Sequence, residues 1–270
     1  MGHLSQDRNN TIEFTKSILR FTYILGIPVS IVNILTATKT LLEWAREDKT
    51  RVVFVRDSAS LMIASEDSNL LDLHHRADLV VPDGTPLVLI GRWRGFGSKI
   101  GRVPGADLMD AVCAASLQTG ASHYFYGGRA GVADKLATEL SMKHNGLKIA
   151  GIFSPPMRDI GGDFVPDDVF QEEMEAIKRA SPDFVWIGIS SPKQEFLMMM
   201  AAPSIGRGIF LGVGAAFDFQ SGSVLRAPKW MRNNGMEWLH RLYKEPRRLW
   251  YRYIILVPIF ILKVIFNELT

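Results

Sequence analysis

The sequence predicts an α/β protein: a mostly parallel sheet with helices on both faces, followed by a basic, amphipathic helical appendage. Three observations predict it. Short apolar, β-branched runs alternate with helical patterns through most of the 270 residues. The apolar runs end in turns that carry glycine or a charged side chain. Residues 226–270 then change character and become strongly basic.

Residues 1–20 read as a loose start with an amphipathic turn or two. Residues 27–33 read as a strand or hairpin arm, and 38–47 as a helix with Leu41, Leu42 and Trp44 as core candidates. A buried strand at 51–55 precedes a helix at 59–69. Leu79, Val80 and Val81 form the next strand. Pro82 stops it, because proline cannot donate to a ladder. Asp83-Gly84 occupies the turn that follows, and 87–93 opens another helix. A loop over 99–107 launches a helix at 107–118, where Asp107 suits the positive end of the dipole. A strand at 123–126 runs through Gly127-Gly128 into a helix at 131–144, and 147–153 is again a strand. Residues 154–168 hold Pro155, Pro156, Pro166 and Gly161-Gly162, a loop of the length associated with function or mobility. A helix at 169–180, a strand at 184–187, a helix at 194–202 and a strand at 209–213 complete a Rossmann-like alternation. Residues 1–225 form the body and 226–270 the appendage.

The length suits one large or two small globular domains, and 47% hydrophobic residues suffice for a real core. Cys113 is the one cysteine, which excludes an internal disulfide framework. Its helical surroundings point to core packing, and a reducing, cytoplasmic setting fits. The net charge of +3 is uneven: residues 226–270 hold nine Lys/Arg against three Glu, so the tail carries +6 and the body −3. A basic tail on a mildly acidic body suggests an anionic partner, a membrane surface or phosphates. The start lacks the basic and apolar regions of a secretory signal. The apolar run at 254–266 is interrupted by Pro258 and Lys263, so it is expected to lie in a membrane interface and not to cross. Trp250, Tyr251 and Tyr253 just before it suit that interface.

Ligands of parallel α/β sheets bind in the crevice beyond the carboxyl ends of the strands. Asp83, the segment Lys193-Gln194-Glu195 and Asp218 all follow strands and so share one edge. Gly127, Gly128, Gly212 and Gly214 let backbone amides approach a phosphate there. The plainer readings are turn chemistry for the glycines and a helix cap for Asp83, and local pattern alone favours the cap. No phosphate-loop or dinucleotide fingerprint follows a strand, and no His/Cys/Asp/Glu set has metal-ligand spacing. No cofactor and no tightly bound metal are therefore expected, and phosphate charge would meet Arg, Lys and amides. His74-His75 reads as a surface or capping pair at a helix end. Nucleic acid is a weak partner for the tail, whose cations sit beside an apolar run instead of a stacking platform. A homo-oligomer stays open.

Several motifs, in one order, resemble the WecG/TagA/CpsF glycosyltransferases. They are Ala77-Asp-Leu-Val-Val-Pro-Asp-Gly84, Arg102-Val-Pro-Gly-Ala-Asp-Leu-Met109 and Ser191-Pro-Lys-Gln-Glu195. Gly212-Val-Gly-Ala-Ala-Phe-Asp-Phe219 through Arg226-Ala-Pro228, then Glu237-Trp-Leu-His-Arg-Leu242 and Glu245-Pro-Arg-Arg248, complete the set. The resemblance covers about residue 25 onward. It implies inverting, metal-independent sugar transfer from a UDP-sugar to a polyprenyl-diphosphate-linked saccharide, at the inner face of the bacterial cell membrane. It implies Asp83 as general base, reversing the order set by local pattern. It implies Arg241, Arg247 and Arg248 as contacts of the lipid diphosphate, and Arg102 and Gln194 as polar residues of the nucleotide-sugar pocket. Gly127, Gly128, Lys193, Glu195, Gly214, Phe217 and Asp218 complete the expected nucleotide-sugar site. One segment departs from the family. Well-known members carry Thr-x-Asn at the end of the strand before Asp83, where this chain has Val55-Arg56-Asp57. An N-acetylmannosamine donor is therefore not assumed, and a glucosyl or other hexosyl donor is the alternative. The rival reading is a non-catalytic nucleotide-binding scaffold subunit at the membrane.

Overall fold

The structure, a computed structural model, describes residues 19–269. The expected loose start at 1–18 lies outside the described residues. β1 (Phe21–Ile24) and β2 (Ile27–Ser30) form an antiparallel hairpin. A six-stranded parallel sheet follows, built from β3 (Thr50–Arg56), β4 (Leu79–Pro82), β5 (Ser122–Gly127), β6 (Lys148–Phe153), β7 (Phe184–Gly188) and β8 (Gly208–Gly212). Its order is β4-β3-β8-β7-β5-β6, and every neighbouring pair is parallel. The body helices are α1 (Ile34–Trp44), α2 (Ser58–Glu66), α3 (Ser68–Arg76), α4 (Thr85–Gly91), α5 (Gly105–Thr119), α6 (Val132–Lys143), α7 (Asp168–Ala180), α8 (Lys193–Ile205) and α9 (Ala216–Gln220).

Strand side chains alternate between two cores, as a pleat with period two requires. Val53, Leu79, Phe125, Trp186 and Leu211 pack with α1, α5, α6 and α9 on one face. Phe54, Val80, Tyr126, Ile187 and Phe210 pack with α2, α3, α7 and α8 on the other. Both faces being covered, the strands read as continuous apolar runs. Cys113 is fully buried, and burial pushes its thiol up to about 12.

Local chemistry moves some expected boundaries. Asn33 accepts from the Thr36 amide while the Thr36 hydroxyl accepts from the Asn33 amide, a capping box that starts α1 before residue 38. The expected helix at 59–69 divides at Asp67, whose carboxylate caps α3 through the amides of Asn69 and Leu70. His74 is not a surface or capping residue, which corrects that reading: it is 0% exposed, packs edge-on against Phe54 and faces the Leu70 carbonyl oxygen at 2.6 Å. Burial, helped by the Arg56 charge, lowers its pKa to about 3 and keeps it neutral.

The appendage comprises α10 (Lys229–Asn233), α11 (Glu237–Lys244), α12 (Pro246–Trp250) and α13 (Val257–Leu269), with π-helical turns Tyr251–Leu256 joining the last two. Together Pro246–Asn267 make one helix of 22 residues, long and apolar enough by length and composition to cross a membrane. The expectation counted only the apolar run at 254–266, whereas the helix that carries it starts at Pro246. It is nevertheless held to the body: Phe260 and Val264 enter the core beside Leu61 and Met62, and Lys263 pairs with Glu66 at 2.7 Å.

Gly127 shows how tightly the strand ends are packed. Its φ is +140°, and a Cβ there would meet the Gly188 backbone at 2.6 Å. Gly127→Ala is expected to cost about 2 kcal/mol or more of stability, combining backbone strain with the clash. The urea midpoint of unfolding should fall accordingly.

Candidate active site

The carboxyl edge of the sheet opens into a cleft of about 770 Å³. The amino ends of α2, α5 and α8 all border it, through Ser58, Gly105 and Gln194. Their partial positive charges make the floor attractive to anions. Ser190 also lines it, held at φ +77°, a left-handed conformation unusual for a side-chain-bearing residue.

Asp83 sits in this cleft immediately after β4. Its amide donates to the Arg56 carbonyl, which ends the ladder and turns the chain outward. Its side chain is 35% exposed. Burial in the cleft raises its pKa from 3.8 to about 6. Arg102 opposes the rise, Asp57 and Glu237 add to it, and Arg241 opposes it more weakly. The nearest cation is Arg102, with Nη2 3.9 Å from the carboxylate and Nε donating to the Asp83 carbonyl at 3.0 Å.

The other acids of the cleft are closely paired. Asp57, at the end of β3, takes Arg252 from the appendage helix at 2.7 Å on each carboxylate oxygen, and Arg252 also donates to Ser60. Burial alone would raise Asp57, but Arg252 holds its carboxyl well below the usual range. Glu237 accepts from Arg226 at 2.7 Å and lies 3.5 Å from Arg102. Arg226 also grips both oxygens of Asp107. Arg102 donates to the Arg232 carbonyl at 2.9 Å, and Gly235 seats its turn against Thr85. These contacts fasten α10 and α11 over the mouth of the cleft.

Arg241 lines the cleft with its guanidinium 5.5 Å from the centre of the Phe219 ring, and its Nε is buried without a hydrogen-bond partner. Arg248 also lines it, paired with Glu245, while Arg247 is exposed away from the lining.

The structure thus brings Asp83, Arg102, Gln194, Gly214, Arg241 and Arg248 to one cleft. The remaining expected residues lie behind or beside it. The Gly127-Gly128 turn packs on β7, where the Gly128 amide donates to the Gly188 carbonyl. Phe217 fills the space above Gly188. Asp218 follows it on α9, where its carbonyl closes a turn to Val224. Lys193 donates to the Arg158 carbonyl and pairs with Asp159, tying down the long loop at 154–167. Glu195 is fully buried and pairs with Arg56 at 2.6 Å. It also accepts from the Gln194 amide group, whose oxygen accepts from the Gly214 amide. Glu195 therefore orients Gln194 from below. Sequence reasoning missed Arg56 and Arg252. Their partners lie 139 and 195 positions away, so local pattern held no signal beyond the tail's basicity. Among the described residues, no group of three His, Cys, Asp or Glu side chains comes together as a metal cage.

A family profile described as glycosyl transferase WecG/TagA/CpsF family matches residues 22–270. The chain belongs to this family. It is a glycosyltransferase of cell-surface polysaccharide synthesis. The chain also has a distant likeness to a solved structure of Mycobacterium tuberculosis Rv1207, at 14% identity and a TM-score of 0.27, covering 75% of this chain and 96% of that one. The WecG/TagA/CpsF motifs fall at the cleft or directly under it: Pro82-Asp83-Gly84 and Arg102 at the mouth, Gln194 and Gly214 at the floor.

The buried Arg56–Glu195 pair should be costly to break and cheap to replace. Glu195→Ala strands an arginine and is expected to lose about 3–5 kcal/mol by chemical denaturation. The double variant Arg56→Met with Glu195→Leu should recover most of that loss. Equal losses in both would mean that the stranded Arg56 charge is not what makes Glu195→Ala costly.

Proposed function

We propose that this WecG/TagA/CpsF enzyme moves a hexose from a UDP-sugar to a lipid-diphosphate-linked saccharide with inversion, with Asp83 as general base. The single observation carrying the reading is the Asp83 carboxylate: in the cleft, held by Arg102 only at 3.9 Å, and with its pKa raised to about 6. A sugar hydroxyl is a weak nucleophile, and a carboxylate of that basicity removes its proton as the new glycosidic bond forms. The bond from the anomeric carbon to UDP breaks at the same time, and negative charge grows on the departing diphosphate. The amino end of α8, the Gly214 region and Arg102 are suited to receive it. Arg241, whose buried Nε lacks a partner, is suited to the acceptor's diphosphate, with Arg248 beside it. No step of this proposal calls on a metal, so turnover should persist in EDTA. Asp57 differs from the family's Asn and is already engaged by Arg252. That supports a donor other than an N-acetylmannosamine nucleotide, because the side chain offers no free amide to an N-acetyl group.

The enzyme is proposed to work on the inner face of the cell membrane as a peripheral protein. Trp250, Tyr251, Ile254, Leu262 and Phe266 are 51, 52, 51, 54 and 63% exposed, an apolar and aromatic strip beside the tail's cations. The anchoring of Arg252 and Phe260 in the body favours lying in the interface over crossing it.

Asp83→Asn should lower turnover by about 10²–10⁴-fold, the range for loss of a general base, while UDP binding and circular dichroism stay unchanged. Wild-type turnover in that variant would remove Asp83 from the mechanism. The working form is the charged one, so kcat/KM should fall about tenfold per pH unit below about 6 and level off above 7. Folding disfavours that charge, so wild-type stability relative to Asp83→Asn should decline as pH rises through about 6 and match it near pH 3. A thermal-melt series across that range reads the sign. For the membrane reading, Ile259→Asp with Leu262→Asp should abolish cosedimentation with anionic vesicles without lowering the melting temperature. Sedimentation identical to wild type would refute the strip's role.

A further inference from the structure

We infer that the apolar half of the cleft is a groove for the hydrocarbon chain of the lipid-linked acceptor, so that the enzyme draws the first part of that chain out of the bilayer. This inference rests on the proposed function and deepens it.

Val257, Ile261, Val264 and Ile265 all line the cleft. Their spacings of four, three and one place them on a single face of α13. Leu89, Ile90 and Trp93, from α4 and the turn after it, line the same cavity. Leu89 and Trp93 are 58 and 69% exposed, and Ile261 and Ile265 are 40 and 49% exposed. Large, partly exposed apolar groups on two separate elements thus line one cavity. This inner stripe is distinct from the outer one. Ile259, Leu262 and Phe266, at spacings of three and four, lie on another face of the same helix. One helix therefore offers one apolar face to a bilayer and another to the catalytic cavity.

The charge pattern selects the occupant. A lipid-diphosphate sugar presents a hydroxyl, then a diphosphate, then hydrocarbon. The same cleft is lined by Asp83, by Arg241 and Arg248 on α11 and α12, and by the apolar wall of α13, one feature for each part of that molecule. A phospholipid would match the wall and the cations but would leave nothing for Asp83. The nucleotide-sugar would match the floor but not the wall. Burial of each added methylene and methyl branch favours binding, so affinity should rise with chain length until the groove is full.

The test uses the full chain in detergent micelles and measures Kd for two lipid-diphosphate saccharides that differ only in chain, one of two isoprene units and one of eleven. Turnover with UDP-sugars is measured alongside. The expected wild-type Kd for the long chain is at least about tenfold lower than for the short one. Trp93→Gln and Ile261→Gln should collapse that ratio toward one, whereas Leu262→Gln on the outer face should preserve it. Equal wild-type affinities for the two chains, or loss of the ratio in Leu262→Gln alone, would overturn the groove. Binding with the expected ratio but no turnover on any UDP-sugar would sink the proposed reaction and leave the groove standing. Competition by phosphatidylglycerol as effective as that of the long-chain diphosphate would assign the wall to bulk lipid and overturn the inference.

Discussion

The organisation of the cleft depends on how carboxylates are shared among arginines. Desolvating an acid costs several kcal/mol unless a cation or hydrogen bonds compensate. Asp57 receives Arg252, Asp107 receives Arg226, and Glu237 divides itself between Arg226 and Arg102. Those partnerships leave Asp83 with one guanidinium 3.9 Å away and two acids for neighbours. Burial in the cleft is the main source of its raised basicity, and the two neighbouring acids add to it against Arg102. The same pairings join body to appendage, because each of them except Arg226–Glu237, which lies within the appendage, reaches from the body into residues 226–252. Chemistry and assembly of the two parts share one group of side chains.

The sheet was legible from its strands because both faces are covered, which leaves uninterrupted apolar runs such as Val52-Val53-Phe54 and Val185-Trp186-Ile187. Pro82 marked the end of β4, and with it the position of Asp83. Helix boundaries were less legible where a side chain caps at short range: Asn33 and Asp67 relocate starts that periodicity alone misplaces. His74 looked polar and therefore external, yet its place on α3 under Phe54 buries it.

The site was legible where residues act through position after a strand and illegible where they act through distant partners. Asp83, Gln194 and Gly214 follow strands in one parallel sheet and must share an edge. Glu195 follows one as well, but the helical twist turns it inward to Arg56, so adjacency to Gln194 did not mean exposure to the cleft. Gly127 and Gly128 fit a phosphate turn by composition, while their positive φ values also serve the close approach of β5 to β7. Arg252 could be counted as a charge in the tail but not matched to Asp57 without the fold.

The Arg252 bridge has a consequence for biosynthesis. A nascent polypeptide that has extended only as far as β8 already possesses the whole sheet and its basic acid, but neither the cover nor the counter-ion of Asp57. Until the later segment emerges and docks, that intermediate exposes an uncompensated carboxylate in an open trough. Translation therefore delivers the finishing piece, with the counter-ion of Asp57, after the scaffold.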